Sequence, residues 1–128
     1  MSIKIDVSFG ELLDKITILE IKSERINDPS KLANVKKELT VLSQTWLDAA
    51  VDETLIAEER KSLKEINGIL WDIEDEIREQ EAENSFGAEF VSLARRVYKT
   101  NDQRAQVKRD VNEKLGSALI EEKSYQSY

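Results

Sequence analysis

The sequence predicts an all-α fold, an antiparallel bundle of about four helices without a sheet. The chain of 128 residues contains one Pro and four Gly, so few positions would interrupt a helix. Charged side chains make up 35% of the residues, and apolar residues recur at alternating spacings of three and four. At this length we expect one domain, residues 1–128, with a short flexible C-terminal tail over residues 117–128.

The first helix is predicted to begin at Ser8, because Ser8, Phe9, Gly10 and Glu11 form a capping-box pattern. In that motif the Ser8 hydroxyl accepts a hydrogen bond from the Glu11 amide, and the Glu11 carboxylate reaches back to the Ser8 amide. The helix is expected to run to about Asn27. Its inner apolar face is formed by Leu12, Leu13, Ile16 and Leu19.

Asp28 and Pro29 predict the start of the second helix, as a cap followed by a first-turn proline. This helix should end near Val51. Its apolar stripe consists of Leu32, Val35, Leu39, Leu42, Trp46 and Ala49. The third helix is long, within residues 53–84, and Glu59 occupies a position in its stripe where an apolar residue is expected. The rest of that stripe consists of Ile56, Leu63, Ile66, Leu70, Ile73 and Ile77.

The fourth helix, over residues 86–115, is predicted to start at Ser85 or Gly87 and to stop at Gly116. The Ser-Phe-Gly at residues 85–87 repeats that at residues 8–10, which indicates the same helix-start chemistry. A break at residues 100–102 is an open alternative, since Thr100 with Gln103 forms another capping-box pattern. The expected inner face combines apolar with polar residues: Ala94, Val97, Tyr98, Ala105 and Leu115 with Asn101, Arg104, Lys108 and Asn112.

Charge is segregated by sign along the chain, whose net charge is −7. Residues 74–89 carry seven acidic side chains against Arg78 alone, whereas residues 95–109 carry six basic side chains against Asp102 alone. A basic stretch of this kind can hold an anionic ligand or pair with an acidic stretch. The candidate ligand-binding residues are Arg95, Lys99, Thr100, Asn101, Asp102, Arg104 and Lys108.

Two main interpretations of the polar row on helix 4 stay open, and a merely solvated basic face is the third. In the favoured one, Arg104 and Lys108 pair with Glu20 and Glu24 of helix 1 in a half-buried ionic network. In the other, the same cations line a cleft and receive carboxylate or phosphate oxygens, with Asn101 fixing the orientation of the ligand.

Composition excludes several classes of function. The chain has no Cys and no His, which excludes disulfides, thiolate or imidazole catalysis and an ordinary zinc site. We therefore assign no catalytic residue, metal or cofactor. The sequence pI of about 4.8 argues against nucleic-acid binding. No signal peptide and no membrane-spanning apolar run is recognised, so we expect a cytoplasmic protein that does not contact membranes.

Ile18 and Ile21 lie on helix 1 away from its main apolar face. A second chain could cover them, so we expect a homodimer.

Three segments resemble a family of small all-helical proteins of bacteria and phages, catalogued only as a domain of unknown function. They are SFGELLDKITILEIKSERI near the start, YKTNDQRAQVKRDVNEKLGS in helix 4 and EEKSY near the end. The resemblance spans almost the whole chain and implies no activity and no catalytic residues. If relatives occur beside surface-polysaccharide genes, nucleotide sugars or glycosyltransferases become candidate ligands or partners.

The sequence thus predicts a small intracellular binding or accessory module with a basic surface on helix 4 for an anionic small molecule or a protein partner. The alternative is a small-molecule enzyme with a cationic cleft between helices, nucleotide-sugar related or similar to helical chorismate mutases. In the latter case Arg104, Lys108, Lys15 and Glu20 would surround a dicarboxylate. The arginine that such mutases carry early in helix 1 is absent, which favours the binding module.

Overall fold

A computed structural model, which describes residues 1–128, contains four α-helices and no strand. They are α1 (Phe9–Arg25), α2 (Pro29–Asp48), α3 (Ala57–Ala82) and α4 (Ala88–Leu115), with a short 3-10 helix (Glu53–Leu55) before α3. The helices pack against one another, so the predicted all-α bundle is confirmed. With 26 and 28 residues, α3 and α4 are each about 40 Å long.

Helix α1 is the central element, because it contacts α2, α3 and α4. It runs antiparallel to α4: Gly10 and Glu11 at its start bond to Asn112 and Lys108, near the end of α4. The α3–α4 hairpin forms the most extensive helix pairing, and α2 packs chiefly on α1. One face of α1 is therefore covered by α2 and the other by the hairpin.

A buried apolar cluster lies where the starts of α1 and α3 meet the ends of α2 and α4. Its buried members are Leu12, Leu13, Ile16, Trp46, Ile56, Leu63 and Val111. The Trp46 ring packs edge-on against Phe9 at a centroid distance of 6.4 Å. Its Nε1 donates to Glu53 Oε1 at 2.6 Å, so the short 3-10 helix also satisfies the buried indole.

The starts of α1 and α2 follow local capping chemistry, as predicted. Ser8 Oγ accepts from the Glu11 amide at 3.1 Å, and Asp28 Oδ2 accepts from the Lys31 amide at 2.9 Å. The other half of the capping box does not form, because the Glu11 carboxylate bonds to Lys108 instead. Helices α1 and α2 end two or three residues earlier than expected.

Helix α4 is continuous from Ala88 to Leu115, so the alternative of a break at residues 100–102 is wrong. Thr100 is buried inside the helix rather than capping a new one. The helix ends at Gly116, whose φ of 65° is the left-handed conformation predicted for a glycine terminator. The second Ser-Phe-Gly does not repeat the first, since the Ser85 amide closes α3 by donating to Gln80 O at 2.8 Å.

The inner face of α4 differs from the predicted one. Tyr98, expected to point inward, is 44% exposed. The buried residues of the helix are Leu93, Thr100, Val111 and Asn112. The inward row therefore passes through a polar centre at Thr100 and Arg104. The predicted face included Arg104 and Asn112 but extended too far toward Tyr98.

Ile18 and Ile21 are covered, fully or in part, by residues of the same chain. Ile21 is buried, and Ile18 is half-buried beside it in a groove shared with Leu70 and Trp71 of α3. These two residues therefore no longer support a dimer. None of the helices combines the length and apolar character needed to cross a membrane.

Candidate functional site

Asp14 of α1 is the centre of a polar cluster between α1, α3 and α4, and its side chain is only 1% exposed. Its Oδ1 accepts hydrogen bonds from Asn67 Nδ2 and from Arg104 Nε, both at 2.9 Å. Its Oδ2 accepts from Arg104 Nη2, which makes the ion pair bidentate. Thr17 completes the cluster by accepting from Asn67 Nδ2 at 3.1 Å.

The guanidinium of Arg104 is thus ion-paired with Asp14 of α1, so its charge is already neutralised within the chain. The hydrogen bonds from its guanidinium to Asp14 raise the pKa of Arg104 above its ordinary value, despite partial burial. Its Nη1 makes only one long contact, 3.5 Å to Asn101 Oδ1, so this edge retains hydrogen-bonding capacity. The favoured interpretation of Arg104 as a structural ion-pair residue agrees with this geometry.

Lys108 forms the second pair between α1 and α4. Its Nζ donates to Glu11 Oε2 at 2.6 Å and lies 3.3 Å from Glu121 Oε2. Burial alone would lower the pKa of Lys108, but the bond to Glu11 and the nearby carboxylates raise it overall. Burial would likewise raise the pKa of Glu11, yet the bond and charge of Lys108 hold it below its usual value.

The predicted partners Glu20 and Glu24 do not meet Arg104 or Lys108, so that pairing is wrong. Glu24 Oε1 accepts a hydrogen bond from Lys64 Nζ of α3 at 2.6 Å. Glu20 Oε1 lies 3.9 Å from Nη2 of Arg60, which also belongs to α3. The antiparallel register places the first two turns of α1 opposite Arg104 and Lys108. Glu20 and Glu24 lie farther along α1, on its α3 side.

The C-terminal tail, residues 117–128, lies beside α4 and contributes its own carboxylates. Glu121 is within 3.3 Å of Lys108, and Arg109 Nη1 donates to Glu122 Oε2 at 3.0 Å. The bond to Glu122 is the largest of the effects that raise the pKa of the exposed Arg109 guanidinium. Two adjacent cations of α4 therefore bind two adjacent glutamates of the tail.

Asp102 anchors the end of the tail. It accepts from Lys123 Nζ at 2.7 Å and from the Tyr128 hydroxyl at 2.6 Å. These two hydrogen bonds lower the pKa of Asp102. The Tyr128 ring also packs against Tyr98, with centroids 5.2 Å apart. The tail is therefore attached to α4 mainly through charged and aromatic side chains.

A groove of about 420 Å³ separates α4 from the tail. Asn101, Arg104 and Lys108 line its α4 side, while Lys123 and Tyr125 line its tail side. The structure thus brings four predicted binding residues to one place, namely Asn101, Asp102, Arg104 and Lys108. The cations of this groove already have carboxylate partners, so an acidic ligand would bind here by exchange.

The other predicted residues lie apart from this groove. Thr100 is buried and does not line it. Arg95 and Lys99 are exposed on the first half of α4, together with Arg96. No carboxylate lies within ion-pair distance of any of these three cations, which we call the basic edge (Arg95, Arg96 and Lys99).

Sequence reasoning missed Asp14 and Asn67 as members of the polar core, whereas it placed Asn112 on the inner face of α4, where it is buried. One feature of the sequence could have identified Asp14: its carboxylate lies within the apolar face of α1. A carboxylate at such a position needs a buried partner of opposite charge. Asn112 Oδ1 accepts from the Gly10 amide at 2.7 Å, and Ser117 Oγ accepts from the Phe9 amide at 3.4 Å. The first amides of α1 are therefore satisfied by the chain itself and offer no anion site.

No group of three or more acidic side chains is arranged to hold a metal ion. A family model described as "Family of unknown function (DUF6165)" matches residues 3–128. No curated protein and no solved structure matches the chain.

Proposed function

The chain belongs to the DUF6165 family of unknown function, and we propose that it is a binding module whose α4 surface recognises an acidic segment of a protein partner. One observation carries this proposal. Glu121 and Glu122 of the chain's own tail lie on Lys108 and Arg109, as the glutamates of a bound peptide would. The tail thus acts as a tethered ligand of the surface that a partner would use.

Exchange between tail and partner is physically accessible. The tail residues 119–128 form no helix or strand and are exposed. Their ion pairs with Arg109 and Asp102 are at the surface, where such pairs contribute little to stability. A partner segment of similar charge can therefore replace the tail once its affinity exceeds the advantage of tethering.

The basic edge supports a protein partner over a small anion. Arg95, Arg96 and Lys99 have no ion pair and lie on an open helix face beyond the groove. Small-molecule sites bury most of their ligand in a concavity, whereas a convex row of cations suits an extended acidic chain. The partner segment would follow α4 from Arg109 toward Arg95.

The enzyme alternative is less well supported. It requires Arg104 and Lys108 to present free charge to a substrate, and both are bonded to carboxylates of α1. We retain an intracellular location as part of the proposal, since a chain without cysteine needs no oxidising compartment.

The first test uses the tail as a probe. A synthetic peptide of residues 119–128 should bind a chain truncated after residue 118, measured by fluorescence anisotropy of the labelled peptide. The intact chain should bind it at least about tenfold more weakly, because its own tail competes. A matched peptide with Glu121→Gln and Glu122→Gln should lose binding. No binding to the truncated chain, with its helix content intact by circular dichroism, would contradict the proposal.

The second test concerns the basic edge. Poly-L-glutamate should shift the amide NMR signals of residues 95–109 in the truncated chain. The triple variant Arg95→Glu, Arg96→Glu, Lys99→Glu should weaken this binding. A matched control reverses three exposed, unpaired lysines of α2, Lys31, Lys36 and Lys37, and should bind as the parent does. Equal losses in both triple variants would indicate attraction by net charge alone.

A further inference from the structure

The segment before α1 has the side-chain pattern of a β-strand but no strand to pair with. Ile3, Ile5 and Val7 alternate with Lys4 and Asp6, which is the period of an extended chain. Ile3 is 91% and Ile5 77% exposed. The structure contains no β-strand, so no other segment of this chain pairs with it.

We propose that residues 3–7 pair with the same segment of a second copy as an antiparallel two-stranded ribbon centred on Ile5. In this register Ile5 lies opposite Ile5 of the partner. Lys4 lies opposite the partner's Asp6, and Ile3 lies opposite the partner's Val7. One face of the ribbon then carries only apolar side chains, and the other carries two ion pairs.

Charge selects this register over its neighbours. A shift of the register by two residues also keeps all apolar side chains on one face. It places either Lys4 opposite Lys4 of the partner or Asp6 opposite Asp6 of the partner, and like charges directly opposite are destabilising. A shift of one residue places charged side chains opposite apolar ones. In-register parallel pairing again faces like charges. Only the register centred on Ile5 satisfies both the apolar and the charged positions.

A groove beside the segment provides the packing that a ribbon needs. An isolated two-stranded ribbon is at best marginally stable in water. The groove has a volume of about 460 Å³ and a mainly apolar lining that includes Ile5, Val7, Leu12 and Leu119, together with Asp6, Ser8, Thr45 and Ser117. In the proposed register the partner's Ile5 lies opposite Ile5, and the partner's Ile3 lies opposite Val7. The side chains of these two partner residues can therefore enter the groove. The second copy therefore covers surface that one chain leaves exposed.

This interface shares Leu119 with the exchangeable tail but is otherwise separate from the α4 surface of the proposed function. It lies at the start of α1 and the end of α4, and it uses none of the three cations of the basic edge. A dimer formed here leaves that edge accessible in both copies. The two proposals can therefore fail independently.

A charge-swap experiment on the intact chain tests the pairing. We expect sedimentation equilibrium to give the parent a mass near twice 14.7 kDa in the micromolar range. Lys4→Asp alone and Asp6→Lys alone should each give monomers, because they place like charges opposite each other. An equimolar mixture of these two variants, and the double variant Lys4→Asp, Asp6→Lys, should both give dimers. Circular dichroism checks that every variant keeps its helices.

Either of two results would overturn the proposal: a monomeric parent across the concentration series, or single variants that remain dimers. A mixture that stays monomeric would also contradict it, since the swapped charges would then not be facing each other.

Cysteine substitutions test the register, and the chain has no cysteine of its own to interfere. Ile5→Cys should form a covalent dimer on mild oxidation, because residue 5 faces itself. Ile3→Cys alone should not, since the two residues would be about 14 Å apart, beyond disulfide reach. Ile3→Cys mixed with Val7→Cys should cross-link. Equal cross-linking of all three single variants would indicate random collision and refute the register.

Discussion

At the scale of single residues, the ion pair of Asp14 and Arg104 decides how three helices meet. Removing two charges from water is unfavourable, and here a bidentate contact and the Asn67 amide compensate for it. Such a pair adds little net stability compared with apolar residues, but breaking one side leaves a buried charge without a partner. Its effect is therefore to disfavour other arrangements of α1, α3 and α4.

We predict that Arg104→Ala lowers the free energy of unfolding by roughly 3 to 5 kcal/mol, since it leaves the carboxylate of Asp14 buried with only the Asn67 amide. Urea denaturation followed by circular dichroism measures this change. Arg109→Ala is the matched control, because Arg109 pairs at the surface with Glu113 and Glu122, and it should leave the free energy of unfolding nearly unchanged. Equal effects of the two substitutions would show that the Asp14 pair is not structurally important.

The sequence indicated the polar row of α4 but not its partners. Arg104 and Lys108 stood out because cations occupied the inner face of a predicted helix. Their partners depend on the register of α1 against α4, which tertiary packing sets, and both Glu20 and Asp14 were available on α1. Local patterns cannot rank these choices.

At the scale of helices, the contact of Gly10 with α4 sets that register. The Gly10 amide donates to Asn112 Oδ1 at 2.7 Å. A Cβ atom at residue 10 would lie 2.3 Å from Lys108 O and 3.0 Å from Asn112 Oδ1. The absence of a side chain thus lets the backbones of α1 and α4 approach, and the Glu11–Lys108 pair follows one residue later. The start of α1 could be predicted from the sequence because Ser8 caps it locally. The close approach of α1 to α4 at Gly10 could not, because it depends on residues far apart in the chain.

We predict that Gly10→Ala destabilises the protein by roughly 1 to 3 kcal/mol, although alanine favours helices, because the obstructing atom belongs to the backbone of α4. Gly68→Ala in α3 is the matched control. Its Cβ would meet only Arg25 Nη2 at 3.6 Å, so helix propensity should raise stability by about 0.5 to 1 kcal/mol. Thermal unfolding of both variants tests the opposite signs, and stabilisation by both would refute the close-contact argument.

At the scale of the whole molecule, several ion pairs join different elements, although the acidic stretch 74–89 forms none with the basic stretch 95–109. Hydrogen bonds from Lys114, and from Lys123 with Tyr128, lower the pKa values of Glu59 and Asp102 respectively. The pKa of Glu11 is lowered as well, where Lys108 outweighs the effect of burial. The unfolded chain therefore binds more protons than the folded one in mild acid. No histidine adds a titration near neutral pH.

We predict that the melting temperature is nearly constant from about pH 8 down to pH 5 and falls below about pH 4. The sign follows from the lowered carboxyl pKa values, whose stabilisation is present above the unfolded pKa and is lost as protons bind. A thermal series across pH measures it. Glu11→Gln should give a shallower loss in acid than the parent. A fall in stability centred between pH 6 and 7 would contradict this account.

The bonds between Asn112, Ser117 and the first amides of α1 have a topological consequence. They bring residues 8 and 117 together, so the helical part of the chain is closed on itself. The order of the helices along the chain is then not essential to the fold. A circular permutant that joins residue 117 to residue 8 through a short glycine linker, with new ends between Phe86 and Gly87 in the exposed α3–α4 loop, should recover the same bundle.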